Sequence, residues 1–287
     1  MYRNYSIIKL YWFFKGVKVE VVTKIAPIIL ALIMLGLGLG LKIDDFTRVL
    51  KYPKDFLVGF FSQLIILPIV AYLLIIIFKT SPEIAIGVMI IASAPGGVTS
   101  NILTKFTNGD VALSITLTAI VSLISIVTVP FIIFTSADLL GITNISENIS
   151  MIGIALKMFL VVTVPVILGM IIRNFAENFV VSKAEIFNKL NMLLFVIFFV
   201  AAFYEEKENF INFLKQAGLI TLTLNITMMI VAFFLAKYFT SGIAQMKAIS
   251  LECGLQNGTL AIFVSTQIFG ADILYVLPTG AYALIMY

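Results

Sequence analysis

Long apolar runs separated by short polar segments dominate the chain and predict nine membrane-spanning helices. The hydrocarbon core of a bilayer is about 30 Å thick, so a helix needs about 20 mainly apolar residues to cross it. Such runs follow one another from residue 25 onwards, and the pattern predicts an all-α polytopic membrane protein. In chain order the runs are 25–41, 56–78, 84–103, 111–134, 151–172, 186–204, 217–236, 246–269 and 274–287.

Both ends of the sequence depart from this pattern. Residues 1–24 mix aromatic and basic side chains without a long apolar run, which predicts a segment at the membrane interface or a degenerate first span. The predicted number of spans is therefore nine to ten. The last run would form a helix of only about 21 Å, so we expect the native sequence to continue past Tyr287.

Two of the apolar runs contain residues that break a helix. The third run holds Pro95, which cannot donate to the helix ladder, followed by Gly96 and Gly97. The eighth run is weakened by Gly254 and Gly258. At membrane depth a break is tolerated where it is buried or lines a cavity, and broken helices form ion and substrate sites in secondary transporters. A simple proline kink and a glycine-weakened helix are the alternatives.

The two broken runs occupy corresponding places in the two halves of the chain. The apolar run before each of them and the apolar run after it both carry polar residues. Corresponding broken segments are typical of an inverted repeat whose binding site lies at the repeat interface. The sequence therefore predicts such a repeat from the order of elements, although residue identity between the halves is weak.

Glu252 is the only acidic residue in the eighth run. A lone carboxylate near the centre of a bilayer costs several kcal/mol, so such a residue is rarely kept for packing alone. Gln256 lies one turn further along the same helical face. These two residues predict an ion or substrate site at the second break. The alternative is that Glu252 pairs with a lysine elsewhere.

Composition narrows the class of protein. The chain is 61% hydrophobic and 12% charged, with a mean hydropathy of +1.11, whereas soluble domains carry about twice that charge. The net charge of +4 is too small to indicate binding to nucleic acid. The absence of histidine and the single Cys253 remove the usual catalytic triad, zinc sites and an internal disulfide. An enzyme is therefore not predicted, and an intramembrane hydrolase is a remote alternative.

The basic residues are unevenly divided between alternate loops. Loops 42–54, 103–110, 173–191 and 237–247 hold most of the lysine and arginine outside the N-terminal segment. The positive-inside rule predicts that this set faces the cytoplasm. We therefore expect a multi-pass protein of the cell (inner) membrane, with the lipid bilayer as its surroundings and no obligate protein partner.

Several motifs resemble bacterial members of the bile acid:sodium symporter family. The likeness covers roughly residues 25–287, and two motifs about 150 residues apart carry most of it. They are Ala94-Pro95-Gly96-Gly97 with Ser100-Asn101, and Glu252-x-Gly254-x-Gln256-Asn257. Gln63 with Pro68, the run 108–114 and Lys157 near Pro165 are similar as well.

The resemblance implies a transporter domain over residues 25–287, built from a panel and a core. The panel would comprise about 25–41 and 151–204, and the core about 56–134 and 217–287. The two broken helices would cross inside the core.

The resemblance also implies two co-transported sodium ions beside the crossing. The first site would use Ser100, Asn101, Ser114, Thr118 and Glu252. The second would use Gln63, Glu252 and Gln256 with backbone carbonyls near Cys253 and Leu255. The candidate substrate-binding residues are Thr99, Asn101, Asn257 and Asn225.

The expected function is sodium-coupled symport, in which an organic anion is imported across the cell membrane by alternating access. The resemblance implies a bile acid-like or pantoate-like carboxylate as the anion. A proton-coupled carrier, or an exchange carrier or exporter with the same fold, is the alternative within transport. In that case protonation of Glu252 would replace sodium binding.

Overall fold

The computed structural model describes residues 19–142, 149–203, 210–270 and 272–286, and within these ranges the chain is helical without a β-strand. The prediction of an all-α protein is thus confirmed for this part of the chain. Residues 1–18 of the predicted interfacial segment lie outside it, and residues 19–24 belong to the first helix. The helices are α1 (Val19–Gly40), α2 (Ile43–Lys51), α3 (Pro53–Phe78), α4 (Pro82–Ser93), α5 (Val98–Phe106), α6 (Val111–Leu139), α7 (Met151–Phe175), α8 (Glu177–Ser182), α9 (Ala184–Phe203), α10 (Phe210–Phe239), α11 (Ile243–Gly254), α12 (Gly258–Phe269) and α13 (Leu277–Met286).

Four of the described helices are long and apolar enough to cross a membrane alone, namely α3, α6, α7 and the greater part of α10. A fifth span would combine α1 with α2, which meet at a 64° bend. Helices α4, α11 and α12 have 12 residues each, or about 18 Å of length, so each would need its neighbour to cross. The count of nine to ten spans stays a prediction.

The two breaks lie where the sequence predicts them. Helix α4 ends at Ser93 and α5 begins at Val98, while α11 ends at Gly254 and α12 begins at Gly258. In the first break Ala94 is extended (φ −67°, ψ 149°), as expected for the residue before a proline. Neither interruption is therefore a simple kink, because the helical ladder stops and restarts.

The two breaks pair with each other through their backbones. Gly96 and Gln256 form an isolated antiparallel bridge. The Gly97 N–H donates to Leu255 O (3.3 Å), and the Asn257 N–H donates to the carbonyl of Pro95 (2.8 Å). Each break thus satisfies polar groups that the other has freed, which a buried backbone requires.

A π-helical segment, Ser62–Ile66, lies in α3 directly ahead of Pro68. Within it the N–H of Leu67 donates to the carbonyl of Ser62, five residues earlier. The wider turn accommodates a proline that offers no N–H to the ladder. It also sets the position of Gln63 on the buried side of α3. Helix α7 carries a similar segment ahead of Pro165.

Helix α1 packs most extensively on α7 and α9, whereas α10 packs on α11 and α13. Glycines make the first of these contacts close. A Cβ on Gly38 would lie 2.2 Å from Val166 O, and one on Gly169 would lie 2.4 Å from Leu35 O. Helix α1 also contacts α12, so it joins the α7–α9 group to a broken helix. The division into panel and core domains stays a prediction.

The close approach of α1 to α7 gives a matched test. Gly38→Ala should lower the stability of the protein by about 1–3 kcal/mol, because the new methyl group overlaps a backbone carbonyl. Gly40→Ala is the control, since a Cβ there meets nothing within 4 Å. Thermal unfolding of the purified protein in detergent measures both, and equal unfolding temperatures for the two variants would refute the close contact.

Candidate functional site

Glu252 is the centre of the candidate site. It lies in the last turn of α11, and its side chain is fully buried. Ser100 Oγ and Ser114 Oγ each donate to Oε1 over 2.5 Å, and Thr118 Oγ1 lies 3.0 Å from both carboxylate oxygens. Ser100 comes from α5, while Ser114 and Thr118 stand one turn apart on α6. Two helices therefore place hydroxyl groups on a carboxylate that a third helix, α11, supplies.

This cluster holds more acceptor oxygens than protons. Ser100 Oγ also lies 2.6 Å from Gly97 O, and Ser114 Oγ lies 2.8 Å from Asn101 Oδ1. Thr118 Oγ1 lies 3.4 Å from the same amide oxygen. Because a hydroxyl donates a single proton, each of the three faces more acceptors than it can satisfy. Carboxylate, hydroxyl and carbonyl oxygens grouped in this way suit a hard cation.

No basic side chain forms an ion pair with Glu252 in the part of the chain that the structure describes. The alternative in which Glu252 pairs with a lysine therefore finds no support among those residues. The ion pairs of the described ranges lie elsewhere and join Lys42 to Glu177, Arg48 to Asp110 and Lys189 to Glu185.

Gly96 is the point at which the first break touches the carboxylate. A Cβ on Gly96 would lie 2.1 Å from Glu252 Oε2 and 3.2 Å from Gln63 Nε2. At the neighbouring Gly97 the nearest atom would be the Thr99 hydroxyl, 3.4 Å away. The first glycine of the pair is thus required for space, because any side chain there would displace the carboxylate.

The second predicted set also comes together, with a different arrangement of atoms. Gln63 Nε2 donates to the backbone carbonyl of Glu252 (3.2 Å), and Gln256 Nε2 donates to that of Cys253 (2.8 Å). The carbonyl of Leu255 accepts the backbone bond from the first break. Both carboxamide oxygens are buried and without a hydrogen-bond partner among the described residues. A half-turn of either carboxamide would bring its oxygen toward these carbonyls.

A first cavity, of about 220 Å³, lies between the breaks and helices α1 and α9. The predicted substrate-binding residues Thr99 and Asn257 line it. Thr118 and Gln256, one from each predicted ion set, line it as well. The N-termini of α5 and α12 border the cavity, and the free N–H groups and dipole of a helix N-terminus attract anions.

A second cavity, of about 320 Å³, adjoins the first, and both are lined by Asn188. Asn101, predicted for both ion and substrate, lines this second cavity. Its charged lining consists of Lys105 and Arg173, without an acidic residue among the described ones. These residues belong to the loops and helix ends of the more basic side of the protein, so an anion would find favourable charge there.

Asn225 lies apart from both cavities. Its Nδ2 donates to Gly254 O (2.7 Å), to which the Tyr282 hydroxyl also donates (3.0 Å). The two side chains satisfy a carbonyl that the end of α11 leaves without a helical partner. The hydrogen bond from Asn225 to Gly254 O therefore stabilises the second break. Substrate binding by Asn225 stays a prediction.

Sequence reasoning missed two groups of polar residues at this site. Thr104 Oγ1 lies 3.3 Å from Ser114 Oγ and extends the oxygen cluster by one residue. Asn188 and Asn191 on α9 line the first cavity. Two amides three residues apart at the start of the apolar run 186–204 were a signal for the second group, whereas nothing in the sequence distinguishes Thr104.

Three known proteins are similar in sequence to this chain. The uncharacterized sodium-dependent transporter YocS of Bacillus subtilis (strain 168) is 30% identical over 247 residues, which are 84% of this chain and 74% of that protein. The probable sodium/metabolite cotransporter BASS1 of Arabidopsis thaliana, a chloroplastic protein, is 26% identical over 84% of this chain and 59% of its own length. The human ileal sodium/bile acid cotransporter is 33% identical over 117 residues, 41% of this chain and 34% of its own.

The chain thus spans less than two thirds of the plant relative's length. All three relatives are transporters by name rather than enzymes. Residues 27–213 match the sequence profile of the Sodium Bile acid symporter family, which is well over half of the chain. Together with the two paired breaks and their motifs, this match shows that the chain belongs to the sodium bile acid symporter family.

Proposed function

We propose that the protein is a sodium-coupled secondary transporter that imports a small organic anion across the cell membrane by alternating access. The observation that carries the proposal is the buried carboxylate of Glu252, surrounded by hydroxyl and amide oxygens that have too few protons. A monovalent cation supplies the missing positive charge and binds to oxygens of these kinds. Membership of a family of sodium symporters supports the choice of sodium.

Two sodium ions fit the charges of the site. The first would bind to Ser100, Asn101, Ser114, Thr118 and the carboxylate of Glu252. The second would bind to the carbonyls of Glu252 and Cys253 and to the carboxamide oxygens of Gln63 and Gln256, which are buried without a partner. Two monovalent cations, one carboxylate and one bound monoanion sum to zero charge, and near-neutrality is favourable at membrane depth.

The substrate anion would bind in the first cavity. The N-termini of α5 and α12 border it, and Thr99 and Asn257 offer polar groups beside them. Thr118 and Gln256 connect this cavity to the two ion sets. Sodium binding would therefore fix the walls of the cavity, so that the anion binds with higher affinity when sodium is present.

Import into the cytoplasm is supported by the distribution of positive charge. Lys105 and Arg173 line the second cavity, which adjoins the first on the more basic side of the protein. The positive-inside rule makes that side cytoplasmic. An anion that leaves the first cavity in this direction meets favourable charge, and the inward sodium gradient drives the transport cycle.

A proton-coupled carrier or exporter is the second candidate. The hydroxyl groups around Glu252 favour it, because they could hold a protonated carboxyl group as well as a cation-bound carboxylate. Uptake of labelled pantoate and of a labelled bile acid into liposomes that contain the purified protein tests both candidates. An inward sodium gradient at constant pH should drive uptake, and a pH gradient without sodium should not. The opposite result would favour proton coupling.

Glu252→Gln should reduce sodium-driven uptake to background. The change keeps the size of the side chain but removes the charge that both ion sets share. Glu185→Gln is the control, since that residue makes only an exposed pair with Lys189. Uptake into liposomes and thermal unfolding are measured together. Normal sodium dependence in Glu252→Gln would exclude the assigned role.

The two ion sets should be separable by substitution. Ser114→Ala combined with Thr118→Ala removes two oxygens from the first set, and Gln63→Ala removes one from the second. Each variant should raise the sodium concentration for half-maximal uptake and lower the Hill coefficient toward one. Sodium titrations of uptake measure both quantities, and curves identical to that of the wild type would leave only a packing role for these residues.

The neighbouring glycines of the first break provide a test that needs no substrate. Gly96→Ala should abolish the stabilisation of the protein by sodium, because the new Cβ displaces the carboxylate of Glu252. Gly97→Ala should retain it, since the same methyl group meets its nearest atom at 3.4 Å. Unfolding temperatures are compared in sodium and in potassium. Equal sodium responses of the two variants would argue against a cation at this carboxylate.

A further inference from the structure

The wall of the first cavity that faces the breaks is formed by α1 and α9. Most of its side chains are apolar, among them Ile33, Met34, Leu37 and Phe195. Among the described residues of this wall, Asn188 and Asn191 carry the amide groups. The polarity of the cavity is therefore divided between the breaks on one side and a pair of asparagines on the other.

Asn191 is buried, with 7% of its surface exposed. The residue lines the cavity, while its Nδ2 is buried against Gly36 of α1 and has no hydrogen-bond partner among the described residues. A buried N–H group without a partner costs about 1–3 kcal/mol, so such a group is uncommon unless something else binds to it. Rotation of the amide toward the cavity would let an acceptor oxygen of a bound molecule satisfy this donor.

Helix α1 leaves space for the amide of Asn191. A Cβ on Gly36 would lie 2.1 Å from Nδ2 and 2.5 Å from Oδ1 of Asn191. Any larger residue at position 36 would drive the amide out of its place. One helix turn earlier on α9, Asn188 is exposed and lines both cavities. The two amides therefore form a polar strip that leads from the second cavity into the first.

We propose that Asn191, assisted by Asn188, forms a second substrate subsite that binds an acceptor oxygen remote from the anionic head of the substrate. The head group would bind at the N-termini of α5 and α12, on the opposite wall. The substrate is then a small monocarboxylic acid that carries a hydroxyl group at its far end, rather than a plain hydrocarbon carboxylate. This inference rests on the proposed function and specifies its substrate class.

The size of the cavity agrees with a small acid. Pockets for drug-sized ligands measure about 300–1,000 Å³, whereas the first cavity measures about 220 Å³. An acid of four to six carbon atoms would place its two ends against the two walls. Its far oxygen would accept from Asn191, and its hydrocarbon middle would contact the apolar side chains of α1.

An isosteric pair of probes tests the subsite. Pentanoate and 4-hydroxybutyrate have the same chain length and differ by a terminal methyl in place of a hydroxyl. Each is titrated against the purified full chain in saturating sodium, with the unfolding temperature as the measurement. The wild type should bind 4-hydroxybutyrate about five- to tenfold more tightly, as expected for one hydrogen bond to a buried donor.

Asn191→Leu should reduce that preference to about one or reverse it, while the stabilisation by sodium alone remains. Asn174→Leu is the matched control, because Asn174 is exposed and lines neither of the two cavities discussed. If Asn191→Leu does not fold, the smaller Asn191→Ala takes its place with the same expected loss of preference.

The outcomes separate the subsite from the transport mechanism. Three outcomes would overturn the subsite, even where sodium still stabilises the protein. They are equal binding of both acids by the wild type, binding of neither acid by the wild type, and an unchanged preference in the Asn191 variants. Loss of preference only in the Asn191 variants supports it. If that loss is seen but sodium stabilises none of the proteins, the subsite stands and the sodium coupling fails.

Discussion

The structure depends on the burial of one carboxylate. Unbroken helices could not surround it, so the helices next to it are interrupted. Glu252 is fully buried, and hydroxyl groups from α5 and α6 surround it. Gly96 must lack a side chain for the first break to reach it. A buried charge is costly unless other groups compensate it, so the sequence around both breaks is constrained by this one residue. A bound cation would complete the compensation.

The two breaks are complementary. Each one frees backbone N–H and C=O groups at a depth where water is scarce, and each satisfies some of the groups of the other through the Gly96–Gln256 bridge. The same arrangement exposes the N-termini of α5 and α12 to one cavity. The oxygen cluster around Glu252 and the N-termini of α5 and α12 are thus adjacent, and under the proposed function this proximity would couple sodium binding to anion binding. The side chains of Asn225 and Tyr282 stabilise the second break through hydrogen bonds to Gly254 O.

The helices opposite the breaks have a different character. The backbones of α1 and α7 approach closely through Gly38 and Gly169, and Gly36 leaves space for the side chain of Asn191 on α9. The surface that α1 and α9 present to the first cavity is mainly apolar. Such a surface can move against the breaks at little electrostatic cost, whereas the oxygen cluster cannot be pulled apart without exposing a charge. Under the proposed function, alternating access would move α1, α7 and α9 relative to the oxygen cluster around Glu252.

The sequence by itself determined the helical class, the positions of both breaks and most of the residues that gather at them. These features follow from local chemistry, because proline and glycine stop a helix and a carboxylate in an apolar run requires partners. The sequence also carried the family motifs. The tertiary structure alone decided that the breaks pair with each other, that Gly96 rather than Gly97 touches Glu252, and that Asn225 supports Gly254 instead of lining a cavity. It also revealed Thr104 and Asn191. These are contacts between helices far apart in the chain, and side-chain periodicity fixes which face a residue occupies but not which other helix that face meets.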